Sequence, residues 1–357
     1  MPGATLWLRA VALVPLPLLA ASLLVGAEWG FVALFYLTIF AFLIDESLMA
    51  GTVIKPLGRL ESQLIDLVPV LLALAHLVLM PLAVLVLAKT DLGALQWGVV
   101  FAAFALFFGT IGTANAHELI HRPGLFRRAL GKWAFISLLF GHHVSAHLSV
   151  HHRYAATPLD PNSARLNEGF YRFFHRAWWG SYFAGYKVEA TRQIRNKRPR
   201  NSARNPYFFY HFGAATFLAL AFVLAGWKGL AIYLGLAFLC QVQLLLSDYV
   251  QHYGLTRAMD EAGRFEPVSL RHSWNAPHAF TSAMMMNAPL HSDHHAHPSV
   301  PYAKLRARAS EGAPVLPYSI PVMSCIALWP RWWRQVMNPR VACWRAQDSA
   351  EQRISAD

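Results

Sequence analysis

Residues 93–121 read GALQWGVVFAAFALFFGTIGTANAHELIH. From 93 to 114 the stretch carries no charged side chain, and as a helix it can cross a hydrocarbon core of ~30 Å. No proline separates it from His117, Glu118 and His121, so the same helix is free to continue outward. Residues four apart share a helical face, so two imidazoles would meet at its end. The reading is a membrane helix that delivers nitrogen donors to one surface.

The rest of the chain fits that picture. Of 357 residues, 55% are hydrophobic and 14% charged, with mean hydropathy +0.33, where a soluble domain carries roughly a quarter charged residues. Six apolar runs are expected as spans: 5–25, 28–45, 67–88, 93–114, 208–226 and 229–247. The first, ending LLAASLLVGAEWG, has Arg9 as its lone early cation and lacks the basic leader of a cleaved signal peptide. The expected fold is an all-α polytopic membrane protein, one domain over 1–357, with the polar segments 115–207 and 248–357 forming a cap. Within the cap, PVLPYSIPVMSCIALWP (314–330) is apolar but broken by prolines, which predicts an interfacial or re-entrant segment.

Charge sets the orientation. The net charge is +12, and the cations crowd into the cap, from Arg122, Arg127, Arg128 and Lys132 to Arg345, while Lys89 and Lys228 are nearly alone on the other side. The positive-inside rule then puts the termini, the 45–66 loop and the cap in the cytoplasm. A basic face beside membrane spans suits anionic headgroups or an acidic protein; without a recognisable binding motif it does not suit nucleic acid. Cys240, Cys325 and Cys343 form no CxxC pair, which argues against a disulfide framework and a thiolate metal site.

The 17 histidines carry the chemistry. HELIH supplies His117 and His121, AHLSVHH supplies His147, His151 and His152, LHSDHH supplies His291, His294 and His295, and QHYG supplies His252. Helical spacing converges neutral imidazoles on one point, and imidazole suits iron, zinc and copper. HELIH alone matches the HExxH pattern of zinc peptidases. A peptidase zinc needs three protein ligands and an open position, which leaves most of these histidines unused; eight or nine donors supply two metals. His142, His143, His272 and His278 lie near the motifs but outside the set, and His76 reads as a packed, hydrogen-bonded residue.

Together, HELIHR (117–122), HLSVHHRYAATPLDPNSAR (147–165), DYVQHYGL (248–255), RHSWNAPH (271–278) and LHSDHHAHPSVPYAKLR (291–307) resemble the bacterial integral-membrane alkane monooxygenases of the membrane fatty acid desaturase and hydroxylase superfamily. The resemblance implies six transmembrane helices and a cytoplasmic histidine-rich cap in a bacterial inner membrane. It implies two non-haem irons, with O2 as co-substrate, on His117, His121, His147, His151, His152, His252, His291, His294 and His295. The reaction implied is hydroxylation of a terminal methyl group of alkanes to 1-alkanols. Alkane enzymes commonly carry glutamate where this chain has Ala146 and Gln251; the xylene monooxygenase hydroxylase component is similar to this chain at both, so methyl hydroxylation of alkyl-aromatics stays open, as does lipid desaturation. The chain has neither an iron–sulfur cysteine set nor a dinucleotide fingerprint, so electrons must come from a partner. In the family this is a rubredoxin with its NAD(P)H-dependent rubredoxin reductase, or a ferredoxin-type flavoprotein reductase in xylene-type relatives.

Nine neutral imidazoles leave metal charge uncompensated, and buried charge is costly. Glu118, Asp160 and Asp293 are therefore expected to accept N–H from ligand imidazoles. An apolar substrate would arrive from the bilayer along FVALFYLTIFAFLI (31–44), with Leu37, by analogy with the family, and Phe40 lining the channel.

Overall fold

The computed structural model describes residues 10–47 and 64–354, with side chains placed through 347. Residues 5–9 of the first expected span and 48–63 of the 45–66 loop lie outside the described residues. Among the described residues the protein is helical throughout, and β-structure is confined to isolated bridges, Met259 to Phe265 and Asn275 to Val315.

Helix α1 (Val11–Leu24) is apolar but short, and α2 (Glu28–Ser47), α3 (Val68–Lys89) and α4 (Ala94–His121) are long and apolar enough to span a bilayer. Their outer faces stay apolar: Phe31, Phe35, Ile39 and Phe42 on α2 and Leu71, Leu74, Val78 and Leu82 on α3 are exposed, at the three-to-four-residue spacing of one helical stripe. Such a large exposed apolar surface marks lipid contact. Inward, Phe104, Phe107 and Phe108 of α4 are fully buried. Helix α4 runs seven residues past the expected end of its span, as the uninterrupted sequence allowed. It passes through a π-helical turn at Phe107–Gly112 before regaining α geometry over Thr113–His121.

The cap follows as α5 (Leu125–Ser137), α6 (143–154) and α7 (Phe170–Arg195). Helix α8 (Pro206–His252) is 47 residues long and contains both remaining expected spans. It starts where Pro206 follows Asn205, whose side chain accepts a hydrogen bond from Tyr207 N, a favoured helix start. Non-helical torsions at Ala225 and Gly226 break it, and Gly226 has φ +60, a conformation glycine adopts without steric cost. Phe217 and Tyr233 are sixteen residues apart, about 24 Å along a straight helix, yet their ring centroids are 6.5 Å apart. The break therefore folds α8 into two antiparallel arms. The sequence placed this turn at 227–228; it lies two residues earlier, at the glycine.

Beyond α8 come α9 (Ala279–Met284), α10 (His291–Ala296), α11 (Ile320–Ala327) and α12 (Pro330–Ile354). Asp45 at the end of α2 accepts hydrogen bonds from Phe280 N and Thr281 N, tying the start of α9 to the helical bundle. Within the proline-broken 314–330 segment, Ile320–Ala327 forms α11 and Pro330 begins α12. Helices α4 and α8 end on the same side, which brings His121 and His252 to one end of the bundle, beneath the cap.

Candidate metal centre

Four chain segments meet at that end. The Nε2 and related ring nitrogens of His117, His121, His147, His152 and His294 form one group, and His151, His252, His291 and His295 form a second; within each group the donor atoms lie within 4.8 Å of one another. Among the described residues these two groups hold all nine expected ligands, while His142, His143, His272 and His278 belong to neither. In the first group Nε2 of His147 lies 2.9 Å from those of His117 and His152, and Nε2 of His121 lies 3.1 Å from those of His147 and His152. In the second, His252 and His291 are 2.9 Å apart and His291 and His295 3.1 Å.

Hydrogen bonding does not account for five mutually adjacent Nε2 atoms, since each neutral ring offers one donor and one acceptor. A metal does. For ~2.0–2.1 Å metal–nitrogen bonds, such spacings subtend angles of about 90–100° at a central ion. His151 Nε2 is buried without any hydrogen-bond partner, as expected of a ligand atom facing an ion. The donor set therefore fits two adjacent metal ions.

Local helix geometry decides the division. In an α-helix His151 would share a face with His147, and His152 would be turned away by about 140°. Instead His147–His151 forms a π-helical turn, whose hydrogen bonds run i to i+5. The wider turn returns His152 beneath His147 and sends His151 to the other group. The sequence expectation of an i, i+4 pair at 147 and 151 is thus corrected: the co-ligands are i, i+5. On α10, which is α-helical, His291 and His295 remain an i, i+4 pair, and His294 crosses to the first group.

The surroundings keep the rings neutral. Burial, followed by repulsion among the imidazoles, holds His147, His152, His291, His294 and His295 well below the ordinary imidazole range. His151 differs. Burial works against its charge too, but the Asp160 carboxylate, 2.9 Å from Nδ1, outweighs it and raises the ring. Burial would likewise raise Asp160, yet His151 and Ser163 Oγ, at 2.7 Å, hold it below the usual carboxylate range. Asp160 thus accepts the Nδ1–H of His151 and leaves Nε2 as the donor atom, the carboxylate–histidine–metal arrangement.

The other two carboxylates do not contact a ligand ring. Glu118 pairs with Arg122 at 2.9 Å and accepts from Tyr302 N at 3.3 Å, so its charge is spent bracing the 300–302 segment against α4. Asp293 accepts from His297 Nδ1 at 2.9 Å, Arg306 N at 2.8 Å and Arg308 Nε at 3.2 Å; an abundance of nearby cations draws it away from the ligands. Both expectations are corrected.

Two supports were missed. Asp248, one turn before His252, is buried and accepts from Asn162 Nδ2 at 2.6 Å, and Asn162 N donates to Asp160 Oδ1 at 3.1 Å. A carboxylate directly at the end of an apolar span, one turn before His252, was the available signal. Asn275, in RHSWNAPH, accepts from Ser292 N at 3.0 Å and donates to Ser292 Oγ at 2.7 Å, which fixes the start of α10. Of the remaining histidines, His76 hydrogen-bonds Ser137 Oγ at 2.9 Å, and His143 stacks on His147 with centroids 5.1 Å apart.

A cavity of about 500 Å³ opens beside the centre, walled by Leu37, Phe42, Leu106, Met284 and Leu328 and bordered by His117, His147 and His291. That size lies within the ~300–1,000 Å³ typical of small-molecule sites. Leu37 lines it, but Phe40 does not: its ring stacks on Tyr36 at 5.4 Å and meets Phe280 edge-on at 5.7 Å. The π-helical turn at Tyr36–Phe40 shifts the register of α2, and the ring packs against α9 instead. Gln251 and Asp248 also reach the cavity.

Comparison with known proteins agrees with this geometry. The fatty acid desaturase family model matches residues 92–327. Alkane 1-monooxygenase 2 of Alcanivorax borkumensis is 32% identical over 70% of this chain and 64% of its own length. Alkane 1-monooxygenase 1 of Pseudomonas aeruginosa is 31% identical over 71% of this chain and 65% of its own. The xylene/toluene monooxygenase hydroxylase component of Pseudomonas putida is 26% identical over 64% and 60%. The chain thus spans just under two thirds of the length of the first two relatives.

Proposed function

This chain belongs to the fatty acid desaturase family, and from that premise we propose that it is an O2-dependent diiron monooxygenase that hydroxylates the terminal methyl group of alkanes to 1-alkanols. One observation carries the reading: two groups of converging imidazoles, five and four, border an apolar cavity. Irons held there would supply the reductive activation of O2, a reaction that consumes two electrons and two protons for each C–H bond hydroxylated. The protein does the rest. The apolar cavity desolvates the substrate and holds a methyl group near His117, His147 and His291. Selectivity there is steric, since a methylene in an apolar pocket is worth only ~1–3 kcal/mol. Asp160 fixes the His151 ring, and Arg122 engages Glu118, the carboxylate that a peptidase of the HELIH type would need as its base.

The bilayer arrangement we infer has six crossings, α1 to α4 and the two arms of α8, in a bacterial inner membrane with the centre on the cytoplasmic side. The basic cap would then face an acidic electron carrier, a rubredoxin served by its NAD(P)H-dependent reductase. Gln251, shared in sequence reading with the xylene-type enzymes, favours methyl hydroxylation of alkyl-aromatics as the second reading. The test is metal content together with whole-cell oxidation of octane, hexadecane and xylene, supplied with rubredoxin or ferredoxin-type reductase. About two irons per chain and 1-octanol support the proposal. Iron-loaded protein that oxygenates none of the three substrates overturns it.

A further inference from the structure

On the far side of α6 from the cavity lies a second pocket, of about 300 Å³, lined by Arg128, Lys132, Arg192, Ser145, Ser149 and Tyr210. Its charge is unbalanced. Arg192 pairs with the buried Glu189 at 2.9 Å, and Glu189 also accepts from Ser145 Oγ at 3.0 Å. Arg128 is bound through Nε to the carbonyl of Arg122 at 2.9 Å. Among the described residues neither Arg128 nor Lys132 has a carboxylate partner, so the pocket holds three cations against one anion. Three hydroxyls, on Ser145, Ser149 and Tyr210, line the same space. Cations and hydroxyls around a small concavity are the recognition chemistry of a phosphate group.

The rim says what the phosphate is attached to. Lys132 Nζ sits 5.9 Å from the centroid of Phe209. Phe209 itself is exposed, as is Leu125, three residues before the lining Arg128 on the same face of α5. Exposed apolar and aromatic side chains beside basic ones are the signature of headgroup depth. A free phosphate or the carboxylates of a soluble protein would make no use of that apolar rim, whereas acyl chains would cover it.

We propose that this pocket binds the phosphate of an anionic phospholipid, and that the bound headgroup braces α6 from behind. Ser145 and Ser149 flank His147 in sequence, and Ile120, which also lines the pocket, precedes His121. An occupied pocket therefore supports the two elements that carry His117, His121, His147, His151 and His152. The proposal needs the chain to lie in a bilayer but is independent of its reaction.

The test uses the full chain in neutral detergent and counts bound lipid by native mass spectrometry during titration with phosphatidylglycerol, phosphatidylcholine or inorganic phosphate. Phosphatidylglycerol should bind at least about tenfold more tightly than phosphatidylcholine, given the contribution of each basic residue near anionic lipid. Lys132→Glu and the exposed Arg128→Glu should each weaken it about tenfold, Lys132→Arg should retain it, and Arg340→Glu, on α12, should leave it unchanged. Equal binding of the two lipids, equal loss in Arg340→Glu, or displacement of the lipid by millimolar inorganic phosphate overturns the proposal.

Discussion

Asp160→Asn tests the division of the nine imidazoles most directly. Asp160 serves three donors: Oδ2 accepts from His151 Nδ1 and Ser163 Oγ, and Oδ1 accepts from Asn162 N. An amide has one acceptor oxygen, so in either orientation it turns N–H against a donor. If it faces His151, the ring flips its proton to Nε2, the atom that must bind metal. If it faces Asn162, the link to Asp248 is broken. Loss of such a supporting carboxylate costs 10–100-fold in metal affinity, about 1.4–2.7 kcal/mol. His151 belongs to the four-histidine group, so the effect should be confined to one metal. Iron measured per chain during chelator competition should fall from about two towards one, the remaining iron exchanging as in the wild type. Equal weakening of both irons, or no change in either, would refute the assignment of Asp160 and the five-to-four division together.

Further perturbations follow from neighbouring contacts. Gln251 donates to Ala288 O at 3.0 Å and accepts from Ser247 Oγ at 3.0 Å; Gln251→Glu sets an acceptor against that carbonyl and should cost about 1–3 kcal/mol, read as a lower unfolding midpoint with iron still bound. Glu118→Gln keeps an acceptor for Tyr302 N and should retain both irons and measurable oxidation; complete loss of oxidation with both irons retained would refute the purely supporting role given to Glu118. Leu106→Trp fills part of the cavity and should lower oxidation of hexadecane more than of octane, measured as a product ratio. Glu168, contacted by Arg176 at 2.7 and 2.9 Å, secures the loop that carries Asp160. Burial opposes its charge, but Arg176 and the Arg165 amide hold it below the usual carboxylate range. A depressed carboxylate stabilises the fold above its unfolded value of ~4.3 and loses that contribution as pH falls through the lower folded value. Glu168→Gln should therefore destabilise by about 1–2 kcal/mol at neutral pH, and the gap from wild type should close in acid.

What could be read in the chain and what could not follows from the range of each interaction. Apolar runs and helical histidine spacing are local, so the helices, the outward course of α4 to His121 and the identity of the nine clustered imidazoles were all legible in the sequence. So was Asp160 as a partner for a ring, because TPLDPNS lies only a few residues beyond His151. Arg122 and His297, each four residues on from Glu118 and Asp293, were equally local, but Tyr302, Arg306 and Arg308, which complete the surroundings of those carboxylates, come from farther along the chain and were not legible. The sharing of donors between two metals was equally hidden. Helical periodicity assumes one number of residues per turn, and the π-helical turn at His147–His151 exchanges the faces of His151 and His152. Local spacing determined which side chains could bind metal; only the packing of four distant segments around that widened turn decided which of them meet.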